Sequence, residues 1–97
     1  MASVCIFPSG TRIYLFQETR HGIHCHAIKG RGKGKCFARI FWRSDTIVFE
    51  QSSERRLRLS NDELNEAVEW VARHLSELDE AYSDVQAGKV PKQIPYP

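Results

Sequence analysis

Across residues 1–59, short apolar runs alternate with polar residues, and each run stops at a turn-forming cluster. Val4-Cys5-Ile6-Phe7 ends at Pro8-Ser9-Gly10, and Arg12 to Phe16 runs into a polar loop through Gly22. Ile23 to Ile28 comes next, and the glycine- and lysine-rich segment 29–35 leads into Cys36 to Trp42. Arg43-Ser44-Asp45 turns into Thr46 to Glu50, and beyond Ser52-Ser53-Glu54 the segment Arg55 to Leu59 reads as a last short strand. Period-two alternation with a turn about every ten residues predicts antiparallel neighbours.

After residue 59 the period changes. Leu64, Val68, Val71, Leu75, Leu78, Tyr82 and Val85 follow steps of 4, 3, 4, 3, 4 and 3, one apolar stripe on a helix. Ser60, Asn61 or Asp62 can cap its start, and Asp62, Glu63 and Glu66 sit where the helix dipole favours negative charge. Gly88, with Pro91 just beyond, ends it, and Ser76 offers a second cap at which the helix can break near His74–Ser76. Residues 89–97 form a proline-rich extended tail, ordered only if it docks. The expectation is one α+β domain over residues 1–97: a single antiparallel sheet of four to six short strands (1–59) packed against a long C-terminal helix (60–88).

Strand parity divides the sheet residues into two sets. Ile13, Leu15, Ile23, Cys25, Ala27, Cys36, Ala38, Ile40 and Trp42 suit a helix-covered face. Arg12, Tyr14, Phe16, His24, His26, Phe37, Arg39, Phe41 and Arg43 interleave rings, arginines and histidines on the other. Mixed aromatic and basic faces bind single-stranded nucleic acid, with bases on rings and phosphates on cations. The same residues could instead form a second core layer or a homodimer interface.

Charge sharpens the division. The net charge is +2, yet residues 1–59 carry eleven Lys and Arg against four Asp and Glu, whereas residues 60–97 carry three against eight. A basic half and an acidic half suggest an anionic partner for the first. Cys5, Cys25 and Cys36 are odd in number, lack CxxC spacing and lie in apolar runs, so buried reduced thiols are expected. With no signal-peptide pattern and no apolar run long enough to span a bilayer, a cytoplasmic protein without membrane partners is expected.

His24-Cys25-His26 and the hairpin after it are the chain's most distinctive chemistry. His24 and His26 share a strand face, and His21 lies three residues upstream. Those three are weak metal-ligand candidates that fall short of a full zinc set unless His74 or Glu77 joins them, so no metal or other cofactor is expected. With Arg39, the histidine pair could serve metal-independent RNA cleavage as acid and base. The hairpin carries Lys29, Arg31, Lys33 and Lys35 at alternate positions. It matches neither the dinucleotide-binding nor the Walker A spacing, and it could contact phosphates through charge alone.

Together these motifs resemble the bacterial domain-of-unknown-function family 4160. The likeness runs through Arg12-Ile13-Tyr14, His24-Cys25-His26, Trp70-Val71-Ala72-Arg73-His74, Glu77-Leu78, Ala87-Gly88 and Pro91-Lys92, about residues 4 to 94. This chain has Gly22-Ile23 where the family usually has Pro-Pro, and its hairpin is longer and more basic. The resemblance implies a small α+β fold and a place in a two-gene module of toxin–antitoxin type; it supplies no catalytic residues. The expected function is partner binding, to nucleic acid or a cognate small protein, through Lys29, Arg31, Lys33, Lys35, Arg12, Tyr14, Phe37, Arg39, Phe41 and Arg43. A small ribonuclease and a phage-type inhibitor of a nucleic-acid-handling complex are the alternatives.

Overall fold

A computed structural model describes residues 2–17, 22–42 and 46–97. Five antiparallel strands, β1 (Ala2–Ile6), β2 (Arg12–Leu15), β3 (His24–Lys29), β4 (Cys36–Trp42) and β5 (Ile47–Gln51), lie side by side in chain order. Two helices follow, α1 (Asn61–Arg73) and α2 (Leu75–Gln86). The α+β architecture expected from the alternation is therefore the one adopted. Among the described residues, no helix is long and apolar enough to cross a membrane.

One sheet face carries the core. Ile13, Leu15, Cys25, Ala27, Ala38, Ile40 and Trp42 are buried in one cluster with Leu64, Ala67, Trp70, Val71, Leu78, Ala81 and Val85 of the helices. Burial pushes the Cys25 thiol up to about 12 and raises that of Cys5, so both stay protonated and inert, as expected of core cysteines. One member of the expected covered set departs from it: Ile23 precedes β3 and is 45% exposed, whereas half-buried Cys36, at the first position of β4, packs against the core.

The helix stripe faces the core: Leu64, Val71, Leu78 and Val85 are buried in its cluster, and half-buried Val68, Leu75 and Tyr82 pack against it. Ala67, Trp70, His74 and Ala81 are buried beside them. The break falls at His74, which ends α1 and begins α2. Ser60 is the N-cap, accepting from the Glu63 N–H while the Glu63 carboxylate accepts from the Ser60 N–H, a complete capping box. At the far end, Gly88 takes φ +78°, and the Lys89 N–H donates back to the Asp84 carbonyl at 2.8 Å.

The expected last strand at Arg55 to Leu59 is instead a 3-10 turn, Arg55–Leu57. Arg58 Nε donates to the Ser52 carbonyl at 2.7 Å and folds the segment back beside β5, so it does not extend the sheet. The proline-rich tail docks. The Ile94 N–H donates to the Val4 carbonyl at 2.8 Å, and Gln93 Nε2 donates to the Ser3 carbonyl at 2.7 Å along the outer edge of β1. Buried Trp70 donates Nε1–H to the Pro95 carbonyl at 3.1 Å, and Tyr96 packs on Phe7 with ring centroids 5.1 Å apart.

Ile94 is buried in the core cluster at the centre of this docked tail. Ile94→Ala should cost about 2–5 kcal/mol of unfolding free energy in a urea titration. Unchanged stability would show that the tail adds nothing to the core.

Candidate functional site

The sheet face turned away from the helices holds Arg12, Tyr14, His24, His26, Phe37, Arg39 and Phe41 of the predicted site residues, ordered in rows by the strand register. Arg12, Ile28 and Phe37 stand opposite one another near the hairpin. Tyr14, His26, Arg39 and Glu50 form the middle row, and His24, Phe41 and Val48 the third. Tyr14, Phe16, His26, Phe37, Arg39 and Phe41 are half-buried and Arg12 is exposed; His24 alone is buried, at 3%. Arg43 and His21 lie outside the described residues.

The two imidazoles meet directly. His24 Nδ1 lies 2.8 Å from the Gly22 carbonyl oxygen, which can only accept, so His24 donates there. In the neutral pair this leaves His24 Nε2 as an acceptor, and His26 Nε2–H donates to it at 3.2 Å. Rings hold the pair on both sides: the Phe16 and His26 centroids are 4.4 Å apart, and those of His24 and Phe41 are 4.9 Å apart. The two facing ring nitrogens are thus engaged with each other.

His74 and Glu77 do not join it. They belong to the helix layer, where His74 Nδ1 lies 2.6 Å from Glu77 Oε1 and Nε2 lies 3.0 Å from the Pro97 oxygen. Among the described residues, no group of three or more His, Cys, Asp or Glu side chains could hold a metal ion.

The cations divide as well. Lys29 has the parity of the covered side and pairs with Glu63 of α1, tying the base of the hairpin to the capping box. Arg39 has Glu50 at 3.7 Å, a partly exposed pair of small energetic worth. Arg31, Lys33 and Lys35 are exposed around a 3-10 turn at Gly32–Gly34. The Arg55–Leu57 turn lies beside them, since Cys36 Sγ donates to the Arg56 carbonyl at 3.4 Å. Arg55, Arg56 and Arg58 therefore join the hairpin cations at one end of the sheet. The sequence contained the signal: in an antiparallel meander, the end of β5 must lie beside the start of β4.

With that geometry in view, the chain belongs to a family described as Domain of unknown function (DUF4160), whose model matches residues 10–83. No curated protein and no solved structure matched it.

Two predictions follow from these contacts. Nitrogen-15 NMR of the neutral imidazoles should find His24 protonated at Nδ1 and His26 at Nε2; His24 protonated at Nε2 would overturn the assignment. The Glu63 carboxyl is held below its ordinary 4.5, first by the Lys29 hydrogen bond and then by the Ser60 N–H. A lowered carboxyl adds stability that is present above the unfolded-state value and lost as pH falls through the folded-state one. Glu63→Gln should therefore flatten the acid limb of the Tm–pH profile, and an unaltered limb would remove Glu63 from that role.

Proposed function

We propose that this chain is a small binding module that takes single-stranded nucleic acid on its open sheet face, as one component of a two-gene module of toxin–antitoxin type. One observation carries the proposal. The half-buried rings of Tyr14, Phe16, Phe37 and Phe41 share the face away from the helices, and that face ends in a cationic rim. The acidic residues 60–97 form the layer on the other side. Rings offer stacking to any base, and the rim offers counter-charge to phosphates.

The geometry favours binding over cleavage. In-line phosphoryl displacement needs a base beside the attacking oxygen and an acid beside the leaving one, on opposite sides of phosphorus. Imidazoles in nitrogen-to-nitrogen contact cannot straddle a phosphate in that way. A separate observation supports a cognate protein as the second reading. β5 is an edge strand, and its Val48 and Phe49 are 49% and 50% exposed, a surface that strand pairing with a partner would cover.

Fluorescence anisotropy with a labelled single-stranded RNA tests the proposal. Binding should weaken with salt at a log–log slope of about 0.7 per phosphate contacted. Phe37→Ala and Phe41→Ala should each cost ~1–3 kcal/mol of affinity. Absence of binding to RNA and DNA strands at low salt, together with a stable complex on co-expression with the neighbouring gene product, would replace it with the protein-partner reading.

A further inference from the structure

At the hairpin end of the open face, Gly10, Arg12, Tyr14, Ile28, Gly30 and Arg31 line a depression of about 280 Å³. It forms where two turns meet, the one after β1 and the one after β3. Gly30 adopts φ +90°, a conformation that side-chain-bearing residues rarely take, so the wall remains bare main chain. Ile28 gives the depression an apolar floor and half-buried Tyr14 supplies a ring at its side.

Arg12 and Arg31 are its two charged lining residues, no carboxylate lines it, and neither arginine has a carboxylate partner among the described residues. Two like charges lining one depression favour an anion between them. Arginine's planar fork suits phosphate oxygens in particular. The ring and the apolar floor point to a ligand with a flat apolar part attached to the anion.

We infer that this depression is a nucleotide subsite: Arg12 and Arg31 hold one phosphate, and Tyr14 stacks the base attached to it. The inference rests on the nucleic-acid reading above and locates where a bound strand is anchored. A free mononucleotide presents the same chemistry as one unit of a strand, so the test includes both.

The probes are a fluorescein-labelled ten-nucleotide oligouridylate, uridine 5′-monophosphate and inorganic phosphate. Arg12 and Arg31 are exposed, so R12A/R31A should fold, as a thermal melt will verify. The double variant should bind the oligonucleotide about 100-fold more weakly at low salt, the loss of two charge-assisted contacts. Its salt slope should fall by about 0.7, the loss of the one phosphate contacted. Y14A should weaken binding while leaving the slope unchanged, and R12K/R31K should keep the slope but lose affinity. Displacement of the oligonucleotide by the mononucleotide, but not by equimolar phosphate, would support a subsite that reads base and phosphate together; equal displacement by phosphate would overturn the role of Tyr14. If the parent chain binds the strand and R12A/R31A binds it equally well with the same slope, the subsite is refuted while the broader reading stands. If the parent chain binds neither strand nor mononucleotide, both fall.

Discussion

The register of the three central strands holds everything else in place. Ile13, Leu15, Cys25, Ala27, Ala38 and Ile40 are all fully buried beneath the helices, and they alternate with every residue of the open face. Slipping one strand by one residue would put Tyr14 or His26 into the core and an aliphatic residue into water. The same burial that stabilises the domain therefore fixes which side chains stand together in each row outside it. The open face needs no contacts of its own to be ordered; it inherits its order from the covered one.

Much of this was legible in the sequence because strand parity is a local property. Among the described residues, the sets assigned to the two faces match the structure apart from Ile23, which lies just before β3, where strand parity does not apply. The helix stripe was legible for the same reason, and the buried Ala67, Trp70 and Ala81 widen the face it defines. The break near His74 was legible from the cap that Ser76 offers, but its contact with the tail was not. The convergence of Arg12 with Arg31 depends on two turns separated in the chain, and no local pattern records it.

The tail bears on the sheet edges. By pairing with Val4 and Ser3 it covers the outer strand β1, while β5 at the opposite edge keeps Val48 and Phe49 half-exposed. An uncovered apolar edge on a small domain favours pairing with another chain. With β1 already occupied, such pairing has one edge left, which limits growth to a single added partner and not an open-ended array. The two readings of function are thus compatible in space: a strand of nucleic acid across the face, a protein along β5.

The histidine pair takes its meaning from the same partition. His24 and His26 meet nitrogen to nitrogen at 3.2 Å in the middle of the face. Phe16 and Phe41 pack against the pair, so its rings also extend the aromatic surface. Charge is concentrated at the hairpin end, where Arg12 and Arg31 have no carboxylate partner among the described residues, and offset in the middle, where Glu50 meets Arg39 and the rings lie. A surface that binds a strand needs that separation, because phosphates seek charge and bases seek rings, and a fully charged centre would be too strongly hydrated to stack. On this view His24-Cys25-His26 keeps the middle of the face flat and aromatic, and recognition of phosphate is left to the rim.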